Sequence, residues 1–522
     1  MDYQEINLIK IKRDIQTDEV QLVLQTTYLG KKVEMTITRD KLTVKGLAEL
    51  TKQGFPILSK DEANATIYDI ISVEEQFPIE NTYKTVGWHE IAGKLYFLHL
   101  KAIKNGKIKK VFYNGNLDLS SKGEYQDCLD FFNAYIASNT GLEVVCAVSL
   151  SAAMISLFEE KDLRFIFHIE GLSTSGKTTS LMLAGSLWGN PKVKANGVIK
   201  SWNTTDNKLM KSACGNKGIP IGLDELSMSD ANNTKLTYIL TSGNDKQRMT
   251  NDDDSISDFN TAFISTGEIK FKESNYGGIA VRLFEVKNYN FTKDKETADL
   301  ILENIQANYG HIGFKFAKEL SKLSKKRLNN SLSKETEKVI EHIKNHCEER
   351  NIKFSPLFGR MAEKIAVIVL AAKIAKKKMN MNFDAKAIRD FLICDTTLLE
   401  AGQEQSVEAM DKFLEEYAKN KTKFPKDNVN DSNIWGKSIF RNGELYEVVV
   451  LYNQFVKMMN RLGFPDTTSL IKALKEKNFI KCEKDKNYAR RDVGNLKKTK
   501  VIVVNVLAIF HYCFHRITPI IP

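Results

Sequence analysis

Gly171-Leu-Ser-Thr-Ser-Gly-Lys-Thr178 is a complete G-x-x-x-x-G-K-[ST] phosphate-binding loop. Arg164-Phe-Ile-Phe-His-Ile-Glu170 before it reads as a buried strand, and Thr178-Thr-Ser-Leu-Met-Leu-Ala-Gly-Ser-Leu-Trp188 after it reads as a helix. In that setting successive backbone N–H groups and the positive end of a helix converge on one phosphate-sized volume. Gly171 and Gly176 let the backbone curl. Lys177 is expected to bridge the β- and γ-phosphates, and Thr178 to place its hydroxyl on Mg²⁺. The ligand expected is ATP, held by Gly171, Ser173, Thr174, Ser175, Gly176, Lys177, Thr178 and Thr179.

Strand and helix patterns alternate over 160–290. Gly218-Ile-Pro-Ile-Gly-Leu-Asp-Glu225 is an apolar strand ending in two carboxylates, about forty-five residues after the loop. Asp224 is expected to hold Mg²⁺ and Glu225 to polarise the attacking water; the alternative is a helix N-cap. A further strand, Asn260-Thr-Ala-Phe-Ile-Ser-Thr266, ends in a polar residue that would lie between the metal carboxylates and the γ-phosphate. Thr266 is favoured for that place, with Ser265 as alternate. Arg282, in Gly277-Gly-Ile-Ala-Val-Arg-Leu-Phe-Glu-Val286, lies outside the nucleotide pocket of its own chain in this arrangement. It is a candidate finger into a neighbour's site; the alternative is a surface salt bridge. From about 296 to 400 the pattern is helical, and Arg360, at the start of a strongly apolar helix, could reach the phosphates.

The chain has 522 residues, 42% of them hydrophobic, and seven scattered cysteines without a C-x-x-C pair. That usage fits a reducing compartment rather than a disulfide framework or a zinc ribbon. Met1-Asp-Tyr-Gln-Glu is acidic and polar where a secretory signal would be basic, and no apolar run is long enough to span a bilayer. A cytoplasmic protein without membrane contact is expected. Net charge is +11, and residues 421–522 carry 19 Lys and Arg against 9 Asp and Glu, so nearly the whole excess is local. Such a module is the electrostatic footprint of a nucleic-acid surface.

Residues 433–510 read as a winged helix. A helix over 446–462 is broken at Gly463-Phe-Pro465, and Thr468-Ser-Leu-Ile-Lys-Ala-Leu-Lys-Glu-Lys477 follows with Lys472 and Lys475 outward. Basic residues including Arg490 and Arg491 then lead to the strand Val501-Ile-Val-Val504 and complete a wing. A winged helix that binds protein instead is the alternative. Residues 1–115 look β-rich, with 19–25 and 32–38 paired through Leu29-Gly-Lys-Lys32, and no chemistry is visible there. Residues 405–432 are polar and read as a linker.

His168–Pro191, Ser201-Trp202, Pro220–Glu225, Ser265-Thr-Gly-Glu268 and Gly278–Arg282 together resemble the MCM-like AAA+ replication-initiator helicases of staphylococcal mobile elements, of the cassette-chromosome and pathogenicity-island type. Val86-Gly-Trp88-His resembles the start of that family's pattern. The resemblance implies a multidomain α/β fold. A β-rich domain (1–115) would precede an AAA+ P-loop ATPase core (120–295). A helical lid (296–404), the linker (405–432) and a winged-helix DNA-binding domain (433–522) would follow. It makes Thr266 or Ser265 sensor 1, Arg282 the arginine finger and Arg360 sensor 2. It puts a pre-sensor hairpin at 244–259, with Lys246 and Arg248 as its basic residues beside Asp252-Asp-Asp254. It also implies a self-loading hexameric ring that moves 3′ to 5′ on a single strand held in its channel.

The reading is an ATP-driven DNA helicase that replicates a mobile element, with duplex bound by the winged helix. The competitor is an ATP-switched DNA-binding regulator without translocation. A phosphate-loop kinase is disfavoured, because a basic winged helix has no kinase role.

Overall fold

A computed structural model of the chain describes residues 5–158, 160–228, 239–242, 258–269, 281–349, 354–355, 357–393, 405–426, 433–464, 467–483 and 486–509. Five short, buried, mutually parallel strands form the central sheet: β1 (Ile166–Glu170), β2 (Ile199–Ser201), β3 (Ile221–Asp224), β4 (Phe263–Gly267) and β5 (Leu283–Lys287). Their spatial order is β2-β3-β4-β1-β5. The phosphate loop, Asp224 and Thr266 therefore stand together at the carboxyl ends of three adjacent strands, where open α/β sheets place ligands.

The helix Thr140–Ile155 is buried in all but its first residue. An apolar helix of this kind needs cover on every side, and it lies between the loop helix α1 (Lys177–Ser186) and the long helix Leu357–Met379. The helices of 295–393 thus share one apolar core with the α/β module.

The N-terminal sheet has nine strands. Eight come from residues 7–113, and the ninth is Asn216–Lys217, which runs parallel to Val86–Gly87. The hairpin turn between Val20–Tyr28 and Lys31–Thr38 has Leu29 and Gly30 at φ 49° and 74°. Both left-handed positions suit the twist of a two-residue hairpin. An aromatic chain joins the modules: Trp88 meets Phe97 edge-on at 5.1 Å, and Phe97 lies 5.9 Å from Trp188. The indole of Trp88 donates to the Ala153 carbonyl (2.7 Å) and that of Trp188 to the Ser149 hydroxyl (3.2 Å).

Gly313 packs so closely on Trp188 that a Cβ would fall 2.3 Å from the ring. Gly313→Val is therefore expected to cost about 1–3 kcal/mol through overpacking, read as a lowered midpoint in thermal or urea unfolding. An unchanged midpoint would show that this junction yields freely.

Two expectations are corrected. Tyr446–Leu451 is not helical: Glu444–Leu451 is a strand paired with Gly436–Arg441 and Leu496–Asn505, and the helix is only Tyr452–Arg461. The expected linker over 405–432 contains the helix Gln405–Lys419, whose Val407, Met410, Phe413 and Tyr417 are buried in the same core as Phe455, Leu470 and Leu474 of the winged helix. Apolar residues three and four apart form one face, and that face is buried. Among the described residues no helix is long and apolar enough to cross a membrane.

Candidate functional site

The loop leaves β1 with the Gly171 N–H donating to the Gly267 carbonyl of β4 (3.2 Å). Thr174 and Gly176 both take positive φ, 75° and 78°. A Cβ on Gly176 would lie 2.6 Å from the Thr292 hydroxyl, so this position is closed to larger residues by space as well as by conformation. Lys177 is buried and its ammonium donates to the carbonyls of Gly171 (2.7 Å) and Leu172 (2.8 Å). The Ser175 hydroxyl donates to Leu172 O (3.0 Å), and the Ser173 hydroxyl donates to the Glu268 carboxylate.

Asp224 is the hub of the polar contacts. Its Oδ1 accepts from the Thr266 hydroxyl at 2.7 Å and faces the Thr178 hydroxyl at 3.3 Å. Glu225 follows in left-handed conformation, φ 65°, and its N–H donates to Thr266 Oγ1 (3.2 Å). Left-handed backbone at a residue other than glycine costs about 1–3 kcal/mol and persists only where its surroundings hold it. The Glu225 carboxylate accepts from the Ser227 hydroxyl.

Ser265 and Thr266, neighbours on one strand, point to opposite faces. The Ser265 hydroxyl is taken by His168 Nδ1 (2.9 Å) and by the Trp202 indole N–H (2.9 Å), while Thr266 faces Asp224. The structure thus brings Thr266, not Ser265, to the carboxylate.

Burial lowers the pKa of His168, and likewise of His99, to about 4. In the unfolded chain each imidazole would titrate near about 6.5. As pH falls from ~6.5 towards ~4 the unfolded chain binds protons that the folded chain refuses, so stability contributed by these groups is complete above that window and is lost within it. Urea midpoints measured at about pH 7.5 and about pH 5 should show the loss, and His168→Asn should weaken the dependence. An unchanged slope in that variant would remove His168 as a contributor.

Arg282 precedes β5, and its carbonyl accepts from the Ile166 N–H at the start of β1. It is therefore separated from its own phosphate loop by the length of a five-residue strand, roughly 15 Å. Its guanidinium meets Asp162 at 2.8 Å, a contact that sequence spacing could not reveal. Arg360 is exposed, in the first turn of Leu357–Met379. The next turn of that helix carries Glu363, paired with Lys161, and Lys364, which donates to the Asp162 carbonyl. Arg360 therefore stands near the Arg282 end of the sheet rather than over its own chain's loop. Lys246 and Arg248 lie outside the described residues.

In the C-terminal module the helix Thr467–Glu476 carries Lys472 exposed and Lys475 half-buried. The strands Ala489–Val493 and Leu496–Asn505 form the wing, with Arg490 and Arg491 exposed. Lys486, Arg490 and Lys500 surround the Tyr488 ring at 5.8, 5.7 and 4.8 Å. A second basic region escaped the charge count: Lys94, Lys101, Lys104, Lys107, Lys109 and Lys110 lie on three adjacent N-terminal strands, and residues 92–112 contain no Asp or Glu. Desolvation, and after it repulsion from Lys94 and Lys109, lowers the pKa of Lys104.

A solved structure described as "SCCmec type IV Cch - active helicase" aligns over 97% of this chain and 95% of its own, at 24% identity and a TM-score of 0.74. This chain has the fold of that protein. Residues 406–509 match the family described as the Cch helix turn helix domain, which begins where the helix Gln405–Lys419 joins the winged-helix core. Residues 3–255 match a domain of unknown function, DUF927. That match runs through both the nine-stranded sheet and the phosphate-loop module, as does the strand pairing of Asn216–Lys217 with Val86–Gly87. The apo A form of the NrS-1 C-terminal region aligns over 95% of this chain and 96% of its own, at 12% identity and a TM-score of 0.33. Comparison with curated proteins finds no match.

Proposed function

We propose that this chain is an ATP-driven DNA helicase of a mobile genetic element, built on an AAA+ core. The observation that carries the reading is the convergence of Lys177, Thr178, Asp224 and Thr266 at the carboxyl ends of three adjacent parallel strands. The Cch likeness in fold and the match of residues 406–509 to a Cch helix turn helix domain give that ATP site its DNA partner.

Lys177 would turn from the loop carbonyls to the β- and γ-phosphates. Thr178 and Asp224 present two oxygens on one small volume, a donor set that suits Mg²⁺. Bound there, Mg²⁺ would neutralise charge on the phosphate oxygens. Glu225 would orient the attacking water, with Thr266 fixing both the Glu225 backbone and the Asp224 carboxylate. Arg282 and Arg360 would serve a neighbouring subunit's phosphates in a hexameric ring, since both lie at the other end of the sheet. The 244–259 segment, with Lys246 and Arg248, would grip single-stranded DNA in the channel. Lys472, Lys475, Arg490 and Arg491 would hold duplex, and the helices of 295–393 would act as the lid. Self-loading and 3′-to-5′ movement complete the reading.

Strand displacement on forked DNA tests it, with 3′- and 5′-tailed substrates compared. ATP-dependent unwinding that favours the 3′ tail is expected. DNA binding and slow hydrolysis without unwinding, even with a loading partner supplied, would replace the motor by an ATP-switched initiator.

A further inference from the structure

A cleft of about 370 Å³ opens between the N-terminal sheet and the α/β module. Four lysines line it: Lys84 from the first, and Lys200, Lys208 and Lys211 from the second. Asn116 and Asn196 add side-chain amides, and among the described residues no carboxylate lines the cleft. Its remaining walls include Val86, Val198, Pro220 and Ile221. Charges of one sign between low-dielectric walls focus the field and concentrate counter-ions. Lys208 and Lys211 are exposed one turn apart on the helix Asp206–Ala213. Among the described residues neither has an ion pair, so their charge is available to a ligand. Lys84 meets Glu19 at 3.3 Å across a half-exposed pair, which solvent leaves weak. Lys200 is buried, donates to the carbonyls of Ala195 (3.2 Å) and Gly197 (2.8 Å), and has its pKa lowered to about 8 by that burial.

We propose that this cleft is a second anion site that binds a nucleotide-sized phosphate ester across the junction of the two modules. The volume falls in the range of small-molecule sites, about 300–1,000 Å³. Lysine ammonium groups serve phosphate as point charges without demanding one fixed geometry, and the apolar wall suits the rest of a nucleotide. The cleft lies beside the amino ends of β2 and β3, through Val198 and Ile221, whereas the phosphate loop stands at the carboxyl ends of the sheet. The two sites are therefore separate. A ligand that touches both modules would also tie them together, because it binds only when they are docked. The free nucleotide and a nucleotide of a DNA strand share this chemistry.

Binding to the full chain decides the matter and does not depend on motor activity. Pyrophosphate, a nucleoside triphosphate and a short oligothymidylate are titrated calorimetrically into the wild type, Lys177→Ala and Lys208→Glu/Lys211→Glu. The wild type is expected to show two classes of site for the triphosphate. Lys177→Ala should keep the second class, and the double variant should weaken that class at least about tenfold while keeping its thermal midpoint and the first class. Lys84→Glu, from the opposite wall, should reproduce the loss. Competition by the oligothymidylate for the second class would identify the source as DNA; its absence would identify a free nucleotide. A single class in the wild type, or a second class that survives both substitutions, overturns the proposal.

Discussion

Lys177→Ala is expected to bring ATP turnover to background, a loss of at least about a hundredfold, while the far-UV spectrum and melting midpoint stay close to wild type. The ammonium is buried against the loop, with carbonyls at 2.7 and 2.8 Å, and the loop's shape is set elsewhere. Thr174 and Gly176 set it through positive φ, and the Gly171 N–H and Gly267 carbonyl through their hydrogen bond. Removing the side chain deletes the loop's own charge on the γ-phosphoryl group without dismantling the cradle. Alanine is also a strong helix former at the first position of α1. Phosphate release measured with saturating single-stranded DNA checks the expectation. Turnover at the wild-type rate would take the central assignment away.

The phosphate loop and the Asp224-Glu225 pair were legible because each is a local device: a few consecutive residues carry both the chemistry and the turn that presents it. The choice between Ser265 and Thr266 was not local. Alternation along a strand says that adjacent residues face apart, but only the packing of His168 and Trp202 against Ser265 shows which face is which. Arg282 was visible as a lone basic residue beside a strand; its pairing with Asp162 joins residues 120 apart.

The errors near the C-terminus have the same cause. Glu444-Leu-Tyr-Glu-Val-Val-Val-Leu451 is a short apolar run that either a helix or a strand could contain, and its partner strand is Leu496–Asn505. The helix Gln405–Lys419 looked like a linker because its apolar face is matched largely by residues far along the chain, among them Phe455, Leu470 and Leu474. The lysines of 94–110 were hidden by the charge count itself, because acidic residues elsewhere in the N-terminal part cancel them.

Arg282→Ala is expected to abolish hydrolysis yet leave ATP binding intact, since an arginine supplied to the transferring phosphoryl group is worth about 10³–10⁵ in rate. The guanidinium stands a strand's length from its own loop, so the target proposed for it is the phosphate loop of another copy of the chain. Until that copy is in place Asp162 holds it at 2.8 Å; the phosphates, with more negative charge, would draw it away. The trans arrangement makes a sharper demand than the loss itself. Glu225→Gln should also be inactive, because the water is no longer polarised. Mixed in equal amounts, the two dead variants should regain activity at interfaces where Glu225 comes from one and Arg282 from the other. Random assembly into a head-to-tail ring makes about a quarter of the interfaces of this kind. Rescue should grow with mixing, vanish if the Arg282→Ala chain also carries Lys177→Ala, and survive if the Glu225→Gln chain carries it instead. Absence of rescue when the variants demonstrably co-assemble would confine Arg282 to its ion pair with Asp162 and leave the γ-phosphate to another cation.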